Sequence, residues 1–364
     1  MTRESIKSEV LELSHKNKNI LLLAATGIGK TAISLACIDE HLNTGRVLFV
    51  LPQTNLINNT REEYIKWSKE HLLEFTDFCC YASLHKYIDK TYDLICLDEV
   101  HNCLSENRLE SLSKIKCYHR VAMSATVTLE GQQLLNDKLG EFAVVNVSLS
   151  EAIENSIVSE PKINIEYIDL DDEIKRNPFK FKDKTVMMTD LGYYEAISKS
   201  ITYWRDRWEL EGAAFAKNLM MKLGGTRQNF LANCKEERAK ELIAYLEGCR
   251  WICFCGSIEQ AERLGSNVCS SKTGKKNNTK LINDFNAGKI DNLLAKNMLQ
   301  EGINLVDTKY AICIQLGNQE RKAIQVLGRS LRHASPEIFL LIVRNTVDER
   351  FLRESFKNNQ SLIN

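Results

Sequence analysis

The sequence contains no long hydrophobic run, no excess of one charge and no cysteine spacing typical of a metal site. No apolar stretch approaches the roughly 18 residues that a membrane span needs, and residues 1–19 are too charged and polar for a secretory signal. Lysine plus arginine and aspartate plus glutamate each number 48, so the net charge is +0 and no global field attracts an anionic partner. The 12 cysteines include no paired C-x-x-C modules, which favours buried free thiols over a zinc site. These absences predict a cytosolic protein that contacts no membrane.

What the sequence does contain is a regular alternation of short apolar runs and amphipathic segments. This alternation is typical of βαβ units, in which helices cover both faces of a parallel sheet, and it predicts an α/β fold. The 364 residues, 44% of them hydrophobic, are enough for two domains with separate cores. The polar segment over residues 148–160 is followed by Pro161, which disfavours a continuing helix. We therefore expect domains at residues 1–150 and 151–364.

The same alternation predicts individual elements. Strands are expected over residues 20–23, 47–51, 78–81, 94–97, 120–123 and 142–147, and then over 163–168, 251–254, 292–295, 311–315 and 338–343. Helices are expected after Lys30, Asn55, Ser83 and Ser105. A long stretch at about residues 176–248 is predicted to be mostly helical. It would form an excursion, that is, an insertion between the first two predicted strands of the second domain.

The first apolar run leads directly into the sequence A-A-T-G-I-G-K-T at residues 24–31. A buried strand, a glycine-containing turn and a helix start make a phosphate-binding loop, because backbone N–H groups and the helix dipole then converge on an anion. Lys30 would reach the β- and γ-phosphates of a nucleotide, and the hydroxyl of Thr31 would hold Mg²⁺. The usual first glycine of the pattern is replaced by Ala24. The predicted nucleotide contacts are Ala25, Thr26, Gly27, Ile28, Gly29, Lys30 and Thr31.

Another apolar run ends in two carboxylates, in the sequence L-I-C-L-D-E-V-H at residues 94–101. Ligands collect at the carboxyl ends of strands in open α/β sheets. Asp98 is therefore predicted to bind Mg²⁺, and Glu99 to orient and deprotonate the attacking water. His101 follows as a relay residue. The alternative, a solvated acidic strand end, is disfavoured by the phosphate loop in the same domain.

Together, the G-K-T and D-E-V-H sequences resemble the DExH branch of the superfamily 2 helicases and translocases. The sequence M-S-A-T at residues 123–126 is similar to the Ser-Ala-Thr motif of that family and follows the fifth predicted strand. The resemblance implies two tandem RecA-like domains of the P-loop NTPase class, with ATP and Mg²⁺ as cofactors. It also implies that Ser124 and Thr126, with His101, couple the ATP site to nucleic-acid binding.

The second domain carries Q-V-L-G-R-S-L-R at residues 325–332, which resembles motif VI of the same family. Residues at helical spacing share one face, so Gln325, Arg329 and Arg332 can approach a triphosphate together, with Arg332 as the predicted arginine finger. An isolated arginine pair would instead be a solvated helix face. The sequence Q-E-G-I-N-L at residues 300–305 resembles motif V, in which Gly302 permits close backbone approach and Asn304 couples nucleotide to strand.

Several short segments occupy the positions of the nucleic-acid motifs of this family. Residues 50–56 resemble motif Ia, residues 82–85 motif Ib and residues 254–257 motif IV, and a basic loop spans residues 271–276. The predicted nucleic-acid contacts are Thr54, Ser83, Gly256, Thr273, Lys275 and Lys276. Serine or threonine before a helix is also a common N-cap, and the basic loop reads equally well as a solvated charge run.

The excursion interleaves aromatic and basic residues in Y-W-R-D-R-W at residues 203–208. Such residues can stack on bases and neutralise phosphates. Trp204 and Trp208, however, lie four residues apart, a helical spacing that usually buries aromatic rings in a core. We favour the core interpretation.

The resemblance extends from Leu22 to Arg332 and implies an ATP-dependent helicase or translocase. Hydrolysis of Mg-ATP between two lobes would drive movement along nucleic acid or its unwinding, with DNA favoured over RNA. Two alternatives stay open: an ATP-gated clamp that remodels nucleic acid without strand separation, and a motor subunit of a nuclease or restriction complex. The short chain suggests a compact motor of a bacterial or phage-infected cytoplasm, recruited by protein partners.

Overall fold

The computed structural model of the chain describes residues 1–364 except 26, 55, 182–183, 297–304, 306–307, 317–332, 358–359 and 364. The described chain forms two compact units. The first is built on Met1–Glu160, and most of the described residues from Pro161 onward form the second. The first unit extends past residue 150 because Ile157 and Val158 are buried in it, despite the polar composition around them.

The sheet of the first unit has six parallel strands. They are β1 (Asn19–Ala24), β2 (Val47–Leu51), β3 (Thr76–Cys80), β4 (Thr91–Asp98), β5 (Lys116–Ser124) and β6 (Ala143–Val147). The strand order is β3-β2-β4-β5-β1-β6. Each predicted strand is present: β2 has the predicted bounds, and the bounds of the others differ by up to four residues. Every residue of β1 and β2 is buried, as expected for a sheet covered on both faces.

Among the described residues, six α-helices accompany this sheet, of which the first precedes β1 and the last follows β6. They are α1 (Arg3–Lys16), α2 (Lys30–His41), α3 (Leu56–Lys66), α4 (Glu106–Ser113), α5 (Leu129–Leu139) and α6 (Leu149–Glu154). The segment Tyr81–Tyr87, where a helix was expected, is a 3-10 helix. Sequence reasoning did not predict α1, because Ile6, Val10 and Ser14 are the buried residues of an otherwise charged and polar segment.

All 12 cysteines are free thiols, and ten of them are buried, as predicted. Cys96, for example, lies in the fully buried centre of β4. Burial raises the pKa of its thiol well above the ordinary value, because a thiolate is poorly solvated there. These cysteines therefore act as small apolar core residues.

The second unit contains another parallel six-stranded sheet. Its strands are β7 (Lys162–Ile168), β10 (Trp251–Phe254), β11 (Val268–Cys269), β12 (Asn292–Ala295), β13 (Tyr310–Cys313) and β14 (Glu337–Val343). The strand order is β11-β12-β10-β13-β14-β7. The helices α10 (Ile258–Leu264), α11 (Lys275–Asn286) and α12 (Val347–Ser355) accompany this sheet. Together, the two sheets confirm the predicted α/β class.

The excursion starts with an antiparallel hairpin of β8 (Asn177–Phe181) and β9 (Lys184–Met188). Three helices follow: α7 (Asp190–Glu211), α8 (Ala214–Cys234) and α9 (Glu236–Tyr245). The hairpin was not predicted, and β8 contains Pro178, which normally argues against a strand.

The tryptophans of the excursion do not lie in a core. Trp204 and Trp208 are half-buried, and the ring of Trp204 meets that of exposed Phe215 edge-on at 5.6 Å. Lys217 lies over the ring of Trp208.

None of the described helices combines the length and the apolar composition needed to cross a lipid bilayer.

Candidate nucleotide site

Three neighbouring strands bring the predicted catalytic segments of the first unit to one edge of its sheet. The phosphate loop follows β1, the Asp98-Glu99 pair ends β4, and Ser124 ends β5, which lies between them. The register pairs Leu23 with Ser124 and Asp98 with Met123. Because these strands are parallel, their carboxyl ends coincide, and this edge is where open α/β sheets bind ligands.

The turn of the phosphate loop depends on two glycines with left-handed backbone angles. Gly27 has φ +91° and Gly29 has φ +100°, a region that disfavours side chains. Gly29 is also the N-cap of α2, which begins at Lys30 and has no acidic residue in its first turn. The positive end of the helix dipole therefore faces the loop without a neutralising carboxylate.

Lys30 and Thr31 occupy the first two positions of α2. The Nζ atom of Lys30 donates a 2.8 Å hydrogen bond to the carbonyl of Ala24, at the end of β1. Ala25 and Ile28 are buried, and the N–H of Ala25 donates to Val147 in β6. The loop is therefore anchored on its apolar side.

The Asp98-Glu99 pair follows β4 through a strained turn. Glu99 has φ +48°, a left-handed conformation that is costly for a residue with a side chain, and its N–H donates to Oδ1 of Asp98 at 3.1 Å. Burial and the adjacent Glu99 carboxylate raise the pKa of Asp98 to about 7, while the ammonium of Lys30 opposes this rise. An added cation would stabilise the ionised form of Asp98.

The chemistry of these donors fits Mg²⁺. A carboxylate and a threonine hydroxyl are hard oxygen ligands, and Mg²⁺ usually binds one or two such protein groups together with substrate phosphates. The described residues include no group of three or more histidine, cysteine, aspartate or glutamate side chains able to hold a metal. Asp98 and Thr31 carry donor groups of the kind that Mg²⁺ prefers.

Glu99, His101 and Ser124 form a hydrogen-bonded cluster that joins β4 to β5. Nδ1 of His101 lies 2.9 Å from Oγ of Ser124 and 3.4 Å from Oε2 of Glu99. The Ser124 hydroxyl is 3.5 Å from the same carboxylate oxygen and 3.0 Å from the carbonyl of Thr126. All three residues predicted to couple the site, His101, Ser124 and Thr126, thus contact one another or share a partner.

Sequence reasoning missed two residues that support this cluster. The side-chain amide of Asn102 lies 3.1 Å from Nε2 of His101 and donates to the carbonyl of Glu99. The buried hydroxyl of Tyr81 donates to the carbonyl of Asp98 at 2.8 Å. Asn102 directly follows the D-E-V-H sequence, so it could have been included, whereas Tyr81 contacts Asp98 only because β3 and β4 end on the same side.

The predicted nucleic-acid residues lie in different surroundings. Thr54 is exposed in the turn before α3, and the Ser83 hydroxyl lies 3.3 Å from Sγ of Cys80. The Thr273 hydroxyl donates to the carbonyl of Val268. Lys276 is exposed in the first turn of α11, which begins with Lys275.

Packing explains Gly256 without a ligand. A Cβ at this position would lie 2.3 Å from Cβ of Ala232, and the N–H of Gly256 donates to the side chain of Gln260. Some predicted residues lie outside the described part of the chain: Thr26, Gly302, Asn304, Gln325, Arg329 and Arg332.

A parallel sheet whose first strand enters such a loop is the fold of the P-loop nucleotide hydrolases. Two family models narrow the class: "Type III restriction enzyme, res subunit" matches residues 1–79, and "Helicase conserved C-terminal domain" matches residues 230–334. The two matches support a superfamily 2 helicase or translocase, a group of ATP-hydrolysing enzymes. This result confirms the family that the motifs implied.

Individual relatives agree with this assignment. The chain is 22% identical to a Rad25 protein of Halobacterium salinarum over 93% of its own length and 54% of the relative. It is 22% identical to the DNA 3'-5' translocase XPB2 of Sulfurisphaera tokodaii, over 95% of its own length and 83% of the relative. The chain thus spans about half the length of the Halobacterium relative. Both named relatives are archaeal, so the bacterial or phage origin stays a prediction.

Solved structures with the same fold include the helicase domain of Pyrococcus furiosus Hef, with a TM-score of 0.56, 14% identity and 97% of each chain covered. Dbp5 of Saccharomyces cerevisiae, bound to RNA and ADP BeF3, gives a TM-score of 0.64 at 14% identity, covering 97% of this chain and 86% of that one. At this identity the likeness concerns the fold.

Proposed function

We propose that the chain is an ATP-dependent DNA translocase or helicase. The observation that carries the proposal is the meeting of the phosphate loop, the Asp98-Glu99 pair and Ser124 at one edge of the first sheet. A nucleotide site alone would need only the loop. The hydrogen-bonded link from Glu99 to a second strand end is what a motor needs, because it lets hydrolysis and nucleic-acid contact influence each other.

The first unit supplies most of the hydrolytic groups in this proposal. Lys30 leaves the Ala24 carbonyl to bind the β- and γ-phosphates, Thr31 and Asp98 hold Mg²⁺, and Glu99 takes a proton from the attacking water. When bound, Mg²⁺ neutralises charge on the phosphate oxygens. The raised pKa of Asp98 fits a carboxylate that becomes fully ionised on metal binding.

In this proposal, residues in the second half of the sequence complete the hydrolytic groups through the family motifs that they resemble. Arg332 acts as the arginine finger, with Gln325 and Arg329 beside it, and Gly302 and Asn304 contribute from the preceding motif. Hydrolysis would then require groups from both halves of the sequence, so each ATP cycle would change the hold on nucleic acid. The family match over residues 230–334 includes all five positions.

DNA is the favoured polymer, because the Sulfurisphaera relative is named a DNA 3'-5' translocase. RNA is the alternative, and one structure of the same fold holds RNA. Contacts to phosphates are assigned to Thr54, Ser83, Thr273, Lys275 and Lys276. Gly256 is left out of this set because its N–H already serves Gln260.

A motor subunit of a restriction complex is the second candidate. The match of residues 1–79 to the type III restriction enzyme subunit family favours it. Such a subunit would hydrolyse ATP on duplex DNA without separating strands, and it would bind protein partners. An ATP-gated clamp would likewise hydrolyse ATP on nucleic acid without separating strands, but it would not move processively.

The deciding experiment measures ATPase rate with single-stranded DNA, duplex DNA, branched DNA and RNA in turn, beside strand displacement on duplexes with a 3' or 5' tail. We expect DNA to stimulate hydrolysis at least tenfold, with displacement of the 3'-tailed duplex. Stimulation by duplex DNA without displacement would support the restriction-type motor. If none of the polymers stimulated hydrolysis, both the helicase or translocase proposal and the restriction-type motor would be contradicted.

The Lys30→Ala variant is the control for this experiment. It removes the ammonium that the phosphates require, so we expect loss of ATP binding and of stimulated hydrolysis with an unchanged circular dichroism spectrum. A variant with a matched substitution, Lys66→Ala at an exposed position of α3, should hydrolyse ATP normally. Turnover by Lys30→Ala within a few fold of the unaltered protein would show that the loop is not the nucleotide site.

A further inference from the structure

Arg3 reaches two backbone carbonyls that are distant in sequence. Its Nη2 atom donates to the carbonyl of Ile157 at 2.7 Å and to the carbonyl of Gly27 at 3.2 Å. The direction of the side chain is set by α1, whose N-terminus is fixed by a reciprocal capping box between Thr2 and Ser5. A positively charged donor is thus held against the turn of the phosphate loop.

The bond to Gly27 has a consequence for the next N–H group. In a trans peptide the C=O and the following N–H point in opposite directions within one plane. The carbonyl of Gly27 points toward Arg3, so the N–H of Ile28 points away from it. The guanidinium also polarises this peptide, which makes the N–H a stronger donor to an anion.

The same guanidinium fixes the segment that ends the first unit. Ile157 and Val158 are buried, and both of their N–H groups donate to the carbonyl of Ala152 in α6. A Cβ placed on Gly27 would lie 3.1 Å from Cγ1 of Val158. Arg3, Gly27, Ile157 and Val158 also line a cavity of about 530 Å³. The turn of the phosphate loop therefore rests on this segment, with Arg3 as the polar connection.

We propose that Arg3 is a positioning residue of the ATP site, which orients the Gly27-Ile28 peptide so that the N–H of Ile28 donates to a nucleotide phosphate. The inference rests on the proposed function, because it assumes that the loop binds the phosphates of ATP. It goes beyond the loop motif, because Arg3 lies in a different element, at the start of α1.

The test compares Arg3→Ala, Arg3→Lys and Lys7→Ala in the full chain. Lys7 lies in the same helix and is ion-paired with Glu4, so it controls for loss of a cation from α1. The readouts are kcat and KM for ATP, and the inhibition constant of inorganic tripolyphosphate against ATP. Thermal unfolding of each variant is recorded beside them.

We expect Arg3→Ala to raise KM for ATP and the inhibition constant of tripolyphosphate by about tenfold each, since a charge-assisted bond of this type is removed. We expect kcat to change less than threefold. Arg3→Lys should recover part of both affinities, and Lys7→Ala should alter neither.

Three results would overturn the inference. A weaker affinity for ATP with unchanged inhibition by tripolyphosphate would place the action of Arg3 at the nucleoside, in the adjoining cavity. Unchanged affinities with a lower unfolding temperature would make Arg3 purely structural, and unchanged values throughout would remove any role. Failure of the proposed function would be recognised differently. Lys30→Ala would then retain its ATPase activity, whatever the Arg3 variants show.

Discussion

Nδ1 of His101 and Oγ of Ser124 lie 2.9 Å apart and join the end of β4 to the end of β5. Both side chains are nearly inaccessible to solvent. Because the Ser124 hydroxyl also approaches the carboxylate of Glu99, a shift of β5 would move the predicted catalytic base. This relationship makes Ser124 the sharpest test of coupling.

We expect Ser124→Ala to lower the stimulation of ATPase by DNA about tenfold. The substitution removes the hydroxyl that connects β5 to Glu99 and His101, so a change at the nucleic-acid side no longer reaches the carboxylate. The measurement is the ratio of stimulated to basal turnover. Ser111→Ala is the matched control, because the Ser111 hydroxyl donates to the carbonyl of Asn107 within its own helix. An unchanged ratio in Ser124→Ala would contradict the coupling role.

Glu99→Gln should retain ATP binding and lose hydrolysis. The amide keeps the shape of the side chain but cannot accept a proton from water, and such a loss typically costs 10²–10⁴-fold, so we expect turnover to fall by roughly 10³-fold. Single-turnover hydrolysis and ATP affinity are measured together. Glu110→Gln, at an exposed position that is ion-paired with Lys114, should behave like the unaltered protein. Turnover of Glu99→Gln within tenfold of normal would assign the base elsewhere.

The first unit should lose stability in mild acid through His41. Its ring stacks on His119 at 4.1 Å, and its Nε2 lies 2.7 Å from the Ser14 hydroxyl. Burial, followed by the neighbouring charges of His119 and His15, lowers the pKa of His41 to about 4. His41 is protonated below about pH 6.5 in the unfolded chain but only below about pH 4 in the folded chain. The unfolding free energy should therefore decrease by on the order of 2 kcal/mol as the pH drops from about 6.5 to 4.

Urea unfolding at several pH values between 4 and 7.5 measures this effect. We expect His41→Gln to flatten the decrease in unfolding free energy, while His71→Gln, at an exposed position beside Asp39, should leave it intact. An identical pH dependence in His41→Gln and the unaltered protein would exclude His41 as the cause.

The second unit contains a buried ion pair whose rupture should be costly. Nζ of Lys235 lies 2.5 Å from Oδ2 of Asp348, and both side chains are buried. Lys235 also donates to the carbonyl of Ile314, and Asp348 accepts from the N–H of Val343. Removing one partner leaves the other charge buried and unpaired, so Asp348→Ala should lower the unfolding free energy by about 3–5 kcal/mol.

The double variant Lys235→Met/Asp348→Leu is the informative comparison. Replacing both charges with apolar groups avoids the unpaired charge, so we expect most of the lost stability to return. Glu354→Ala, which removes an exposed pair with Arg350, should cost less than about 1 kcal/mol. Equal destabilisation by Asp348→Ala and Glu354→Ala would show that burial of the pair does not matter.

The strands could be predicted, and the candidate catalytic segments located, because both have strong local signals. Buried parallel strands such as β2 read as continuous apolar runs, and the residues of the phosphate loop follow one another in sequence. Lys30 and Glu99 could therefore be proposed as site residues from their neighbours along the chain. The Pro178-containing β8 and the largely polar α1 gave no such local signal.

Contacts between distant segments could not be predicted. Arg3 lies 24 residues before Gly27 and 154 before Ile157, and nothing in its local pattern indicates either carbonyl. Tyr81 reaches Asp98 only through the arrangement of parallel strands. The tryptophans at positions 204 and 208 show the opposite error, because their helical spacing suggested a core that the long helices α7 and α8 do not provide there.

The pairing of β7 with β14 determines when the second unit can form during synthesis. Lys162 of β7 is in register with Glu337 of β14, and β14 in turn lies beside β13. The sheet of the first unit is complete once Val147 has been made, whereas β7 must wait until the residues of β14 have been made. During that interval its edge is unpaired and open to wrong partners. Chains that stop before residue 337 should therefore keep a folded first unit and aggregate through the second.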